Sequence, residues 1–349
     1  MRVLIASVKV PFVRGGAEVH AEGLRRALVD RGHDADLIEI PYKWYPPERI
    51  LDHMLACRLL DLTESDGKVV DRLIGLKFPA YLIPHPHKVL WIIHQHRQAY
   101  DLWDHPTLSD MITSADGGAI RKAIHDADCE LIPEAQAVYT VSGRVSDRLK
   151  RYCGLSSVPL YHPPPGAEFF HCEDAEDYFF YPSRLSASKR QALVLDALAR
   201  TKEPVRVVFA SASDHPAYSE QLHAMCRDLK VDRRVEWRGT VNEDEKRQLY
   251  ARCVGTLFTP VDEDYGYVTL EAMLSSKPVI TCKDSGTPVE FVQDKATGMV
   301  VEPTPDSLAK AMDTLWRNRN AAKAWGAKGR EHYASLGISW STVVERLLA

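Results

Sequence analysis

Apolar residues in this chain fall in short runs separated by longer amphipathic stretches. Residues 2–8, 36–40, 88–93, 137–142, 178–182, 205–210, 235–240, 255–258 and 278–281 are short and rich in β-branched, aliphatic or aromatic side chains, which predicts strands. Between the first two runs, Val19, Leu24, Ala27 and Leu28 recur at helical spacing. That predicts a helix from Ala17, stopped near Gly32. Strand, loop, helix, strand is a βαβ unit and implies a parallel sheet. Ser142 is placed to cap a helix over 144–152. Further helices are expected from near Gln191, from near Asn242, around Glu271 and over 340–348. Residues 41–86 carry many Pro, Tyr, Trp and His residues with weak periodicity, and no element is assigned there.

The sharpest break is His162-Pro163-Pro164-Pro165-Gly166, a stiff segment suited to a hinge. At 349 residues the chain is too long for one ordinary core and suits two domains of about 150–180 residues each. The expected division is an N-terminal Rossmann-like domain over 1–168, a second over 169–335, and a terminal helix over 336–349 packing back on the first. The composition, 45% hydrophobic and 26% charged, is that of a soluble globular protein. A net charge of −4 gives no global attraction to nucleic acid. No apolar run reaches the roughly 18 residues of a membrane span, and the N-terminal apolar stretch is too short for a signal peptide. The seven cysteines are scattered, without C-x-x-C spacing, which argues for reduced thiols in the cytoplasm rather than a disulfide frame or zinc site. No G-x-G-x-x-G follows the first strand, so a nicotinamide cofactor is disfavoured.

The candidate chemistry is densest in E-D-Y-G-Y-V-T-L-E, residues 263–271. Glu263 falls in a loop, Gly266 permits close backbone approach to a ligand, and Glu271 lies early on a helix. Amides at a helix start attract phosphate, while the carboxylates accept from hydroxyls. The natural guest is a phosphorylated polyol such as a nucleotide sugar. This segment resembles the E-x7-E motif of retaining glycosyltransferases of the GT-B fold, family 4. That resemblance, from about residue 3 to 345 and strongest over 178–303, implies an α/β protein of two Rossmann-like domains with parallel sheets facing across a cleft. It also implies that Glu263 meets the donor sugar and Glu271 the ribose, with Tyr265, Gly266, Tyr267 and Val268 lining the donor.

Other segments fit the same family. Ser183-Arg184-Leu185-Ser186-Ala187-Ser188-Lys189 resembles G-R-L-x-x-x-K-G, whose two cations clamp the donor diphosphate; here those are Arg184 and Lys189. Fixed cations aimed at a departing diphosphate lower the barrier. Ser183 and Arg190 stand where the family has glycine. The loop from Arg14 to Glu18 resembles G-G-x-E, implying that Gly15 and Gly16 lie over the donor phosphates with Glu18 beside the acceptor. Arg238 and Gly239 correspond to a strand end near the nucleobase. His94 follows a strand, where α/β sheets bind ligands; the resemblance gives the reacting face to a histidine here, His94 first and His96 second, with His96 and Arg97 toward the acceptor. The catalytic set is therefore His94, Arg184, Lys189 and Glu263, with no covalent nucleophile.

The expected reaction moves a sugar from a nucleotide sugar, GDP-mannose favoured over UDP-sugars, to a glycan or lipid-linked acceptor in surface polysaccharide synthesis. No cofactor, metal or nucleic acid is expected. Asp262-Glu263-Asp264 matches D-x-D only superficially, because Glu263 is already assigned. Arg144, Arg148, Lys150 and Arg151 leave open either a solvated helix face or peripheral association with the inner membrane face. The rival readings are a non-catalytic nucleotide-sugar or glycan-binding protein and a nucleotide-sugar epimerase or hydrolase.

Overall fold

The computed structural model describes residues 1–13, 15–105, 109–210 and 216–349. It divides into two compact units, Met1–Pro165 with Ser339–Ala349, and Gly166–Ile338.

The first unit runs β1 (Arg2–Lys9), α1 (Gly16–Val29), β2 (Asp34–Pro41), α2 (Arg49–Leu59), a small hairpin of β3 (Glu64–Ser65) and β4 (Lys68–Val69), β5 (Arg72–Gly75), β6 (Lys88–Ile92), α3 (Gly117–Leu131), β7 (Ala137–Thr140), α4 (Gly143–Cys153) and β8 (Val158–Pro159). Its six-stranded sheet has the order β2-β1-β5-β6-β7-β8, with every pair parallel. Val3, Ile5, Leu73, Ile74, Leu90 and Trp91 are buried in it. Ser142 accepts from the Val145 amide and caps α4, as its position predicts. The unassigned stretch turns out to hold α2, the hairpin and β5. β5 sits between β1 and β6, but it is four residues long and begins with Arg72, so its pattern is too brief to read.

The second unit runs β9 (Phe179–Tyr181), α5 (Gln191–Arg200), β10 (Val207–Phe209), α6 (Pro216–Asp228), β11 (Val235–Trp237), α7 (Glu243–Arg252), β12 (Gly255–Leu257), α8 (Tyr267–Leu274), β13 (Val279–Cys282), α9 (Pro288–Phe291), β14 (Gly298–Val301), α10 (Pro305–Arg317) and α11 (Arg319–Ser335). The order β11-β10-β9-β12-β13-β14 is again parallel throughout. Both faces of this sheet are covered. Phe179, Phe209, Leu257 and Ile280 pack with Leu195, Leu198, Leu308 and Met312, while Phe180 and Phe258 pack with Tyr250 and Ala272. Burial on both sides is why these strands read as continuous apolar runs.

The last helix, α12 (Trp340–Leu348), belongs to the first unit. A side chain at Gly23 of α1 would come within 2.7 Å of the Trp340 ring, so α1 is bare where α12 crosses it. Among the described residues no helix is long and apolar enough to cross a membrane.

Candidate functional site

In the second unit the strand order reverses between β9 and β12. In doubly wound sheets the loops after the strands flanking such a reversal form the ligand crevice. Those two loops carry Lys189 and Glu263. The Lys189 ammonium and the Glu263 carboxylate form an ion pair. Both side chains are largely buried, 15% and 24% exposed, so water screens the pair less than it would on an open surface. The Glu263 backbone is clamped as well: its amide donates to the Ser285 carbonyl and its carbonyl accepts from the Thr287 amide. Glycine is demanded at Gly286, where φ is +76° and a Cβ would fall 2.5 Å from the Glu263 oxygen. The same holds at Gly266 before α8, with φ +79° and Phe258 2.8 Å from a built Cβ. A residue other than glycine would be strained at either position.

Glu271, on the second turn of α8, is buried. One carboxylate oxygen accepts from the Tyr250 hydroxyl at 2.8 Å, and the other from the Lys246 ammonium at 3.0 Å. Burial alone would lower the Lys246 ammonium, but the Glu271 and Glu243 carboxylates more than offset this and raise it. Burial, then Glu271, pushes the Tyr250 hydroxyl well up, so it stays a donor. Tyr265 and Val268 are buried near the start of the helix, and Tyr267 is half-buried.

Arg184 lies exposed on the loop after β9, and its carbonyl accepts from the buried Gln191 side chain at 2.8 Å. Arg190 is the residue that sequence reasoning passed over. It has φ +58°, the left-handed conformation that explains a usual glycine there and that costs a side-chain-bearing residue about 1–2 kcal/mol. Its guanidinium offsets this by donating to the Thr259 and Pro260 carbonyls at 2.7 and 2.6 Å and to both Asp284 oxygens. The Arg190 side chain therefore ties three loops together, and the departure from the expected glycine was its only signal. Arg238 pairs with Glu236 at 2.5 Å and Glu245 at 3.6 Å; Gly239 beside it is exposed with φ +64°.

In the first unit Gly15, Glu18, His94 and Arg97 each have a close partner nearby in the chain, while His96 Nδ1 lies 3.3 Å from the distant Tyr42 hydroxyl. Gly15 is the N-cap of α1, and its amide donates to the Glu18 carboxylate at 2.7 Å. Gly16 begins the helix; Arg14 lies outside the described residues. His94 is half-buried just past β6, and its Nδ1 is 2.7 Å from the Gln95 carbonyl. A carbonyl only accepts, so Nδ1 carries the hydrogen and the lone pair sits on Nε2. His96 turns inward: Phe78 packs on its ring, and its Nε2 is buried with no hydrogen-bond partner among the described residues. Burial, then His94, lowers it to about 3. Arg97 pairs with Asp101. On α4, Arg148 is buried with Asp101 3.8 Å away, so the four basic residues do not form one solvated face; one of them is interior.

Beneath the His94 loop, Asp128 is fully buried. It accepts from Tyr81 at 2.9 Å, Gln95 at 2.8 Å and Tyr100 at 2.7 Å. Burial raises its carboxyl to about 6 despite these donors. Asp262, Glu263 and Asp264 do not bring three ligand atoms together. Among the described residues the trio that does is His125, Cys129 and Cys153.

Residues 170–332 match the family model described as Glycosyl transferases group 1. The chain is 27% identical over 197 residues to an alpha-1,3/1,6-mannosyltransferase, ALG2, of Dictyostelium discoideum, a match over 50% of this chain and 47% of that protein. It thus spans about half the length of that relative. It is 25% identical over 352 residues to an uncharacterized glycosyltransferase of Methanocaldococcus jannaschii, over 87% of this chain and 86% of the other. Sucrose-phosphate synthase of Thermosynechococcus elongatus superposes with a TM-score of 0.77 at 14% identity, over 99% of this chain and 97% of that one. The fold is GT-B, two α/β domains each built on a six-stranded parallel sheet.

Proposed function

We propose that this protein is a retaining glycosyltransferase that moves a hexose from a nucleotide sugar to a glycan or lipid-linked glycan acceptor. The observation that carries this reading is the meeting of Lys189 and Glu263 at the strand-order reversal of the second unit, with Gly266 and Glu271 on the helix that follows. An ammonium against a carboxylate, beside a helix start, suits a ligand with hydroxyls next to phosphates. The reading gives the donor to the second unit and the acceptor to the first. Arg184 and Lys189 receive the charge of the leaving diphosphate, Glu263 orients the sugar, Glu271 holds the ribose, and His94 serves the reacting face. In this reading Gly15 and Gly16 serve the phosphates, Arg238 and Gly239 the base, and Glu18 and Arg97 the acceptor, while His96, whose Nε2 is buried, takes no contact with it.

The anomeric carbon–phosphate oxygen bond breaks as the acceptor oxygen attacks from the same face, and a donor phosphate oxygen takes the acceptor proton. No metal is required in this scheme. GDP-mannose is the favoured donor, supported by E-D-Y-G and the mannosyltransferase relative, with UDP-sugars second. Leu51, Leu55 and Leu59 of α2 are exposed at helical spacing, 39%, 60% and 75%, which favours an acceptor with an apolar portion. The test is release of nucleoside diphosphate with and without acceptor glycan, with no divalent metal added. The reading expects acceptor-dependent release that His94→Ala cuts sharply while donor binding is kept. Donor binding with no release under any acceptor favours a binding protein, and acceptor-independent release a hydrolase.

A further inference from the structure

The first unit gathers three soft ligands that play no part in the transfer scheme. His125 and Cys129 lie four apart on one face of α3, and Cys153 ends α4. Their ligand atoms all lie within 4.8 Å of one another. The Cys129 sulfur is 3.8 Å from His125 Nδ1 and 3.7 Å from Nε2. A tetrahedral zinc with Zn–S of about 2.3 Å and Zn–N of about 2.0 Å holds such N and S atoms roughly 3.5 Å apart and its sulfurs roughly 3.8 Å apart. The Cys129 sulfur is almost equidistant from the two ring nitrogens, so it lies beside the ring, and binding needs the exposed His125 ring to turn until one nitrogen faces the two sulfurs.

The Tyr152 carbonyl selects the tautomer that ligation through Nδ1 needs. His125 Nε2 is 3.0 Å from the Tyr152 carbonyl, so Nε2 carries the hydrogen and Nδ1 the lone pair. A ring nitrogen donating to a backbone carbonyl while the other faces the metal is the usual support of a histidine ligand. On the sulfur side, Gln95 Nε2 donates to Cys153 at 3.3 Å, a hydrogen bond that strengthens when the acceptor is a thiolate. His125 is half exposed, 46% at its side chain, which leaves the ion a route in and a fourth position for water.

We infer that His125, Cys129 and Cys153 form a binding site for a soft divalent metal ion such as zinc, with an open fourth position. The donor set, one imidazole and two thiolates, selects zinc over magnesium or calcium. The absence of C-x-x-C spacing hid the site, because two helices supply its cysteines. Bound metal would hold Cys153 as thiolate and tighten its bond to Gln95, the neighbour of His94.

The test uses the full chain, stripped of metal and fully reduced, titrated with cobalt(II) as a spectroscopic probe and then with zinc. One equivalent of cobalt should develop a thiolate-to-metal charge-transfer band that zinc bleaches. Cys129→Ser and Cys153→Ser should each weaken cobalt binding by 10-fold or more, and Cys172→Ser, in the other unit, should not. A parallel measurement on wild type avoids any folding defect: zinc should protect Cys129 and Cys153, but not Cys172, from alkylation mapped by mass spectrometry. A band unchanged in both ligand variants, equal alkylation with and without zinc, or a Cys129–Cys153 disulfide forming readily in the presence of zinc overturns the assignment.

Discussion

The two units share a sheet architecture but anchor their candidate residues in opposite ways. In the second unit those residues are paired across loops: Lys189 with Glu263, Glu271 with Lys246 and Tyr250, Arg190 with two loops at once. In the first several have a close local partner, Glu18 on its own helix cap, Arg97 on Asp101 four residues on, His94 on its neighbour's carbonyl, while His96 reaches the distant Tyr42. Opposite charges set beforehand at a strand-order reversal suit a ligand of fixed chemistry, such as a diphosphate sugar. Locally tied residues on separate loops suit a ligand that differs from protein to protein. The units differ in a second respect. Among the described residues, the histidines that burial lowers most, His20, His96 and His162, belong to the first unit, whereas tyrosines and cysteines raised by burial occur in both, such as Tyr81 and Cys57 in the first and Tyr250 and Cys253 in the second.

The largest effect expected from this contrast is on turnover. Lys189→Ala should lower kcat by about 100- to 1,000-fold, the usual loss of one fixed donor to developing charge, in a steady-state assay of nucleoside diphosphate release. An equal loss from Arg97→Ala, with Lys189→Ala near wild type, would reverse the roles of the units.

Next is acid stability. Burial lowers His20 to about 3, and His96 is lowered to about 3 by burial and then by His94; burial and then His20 bring His162 well below its ordinary value. In the unfolded chain each takes up a proton near pH 6.5. Between about pH 6.5 and pH 3 the unfolded state therefore binds more protons, and stability falls as pH falls. Asp128, raised to about 6, acts the other way: its contribution is present at low pH and lost as pH rises through 6. Three histidines outweigh one carboxyl, so the first unit should open before the second on acidification. Hydrogen exchange resolved by peptide at pH 7 and pH 4.5 reads this. The second unit opening first contradicts it.

The smallest effect concerns Arg190. Arg190→Gly relieves the left-handed backbone but removes four hydrogen bonds, two of them to a carboxylate, so a net loss of about 1–2 kcal/mol is expected in denaturant melts. A variant more stable than wild type would show that the side chain ties nothing together.

The second unit was the more legible in sequence, and the reason is physical. Its proposed donor residues fall mainly in two contiguous segments, 184–190 and 263–271, because the loops after two neighbouring strands, β9 and β12, supply them. β9, β12 and β13 are buried on both faces and so read as apolar runs. The first unit hides its logic in contacts between distant residues. β5 is four residues long, Asp128 gains meaning only from Tyr81, Gln95 and Tyr100, and the His125–Cys129–Cys153 cluster joins two helices. His94 and His96 look alike in sequence, yet one rests its Nδ1 on the Gln95 carbonyl past a strand, while the other packs against Phe78 with its Nε2 buried and its Nδ1 near the Tyr42 hydroxyl.

The most direct measurement is calorimetric titration of the full chain with GDP-mannose, UDP-glucose and the free nucleoside diphosphates, using wild type, Glu271→Gln and His94→Ala. One nucleotide sugar should bind wild type at a single site, His94→Ala should bind it nearly as well, and Glu271→Gln should bind it at least 10-fold more weakly. Equal binding by wild type and Glu271→Gln, or no binding of any nucleotide sugar by wild type, would contradict a donor site in the second unit.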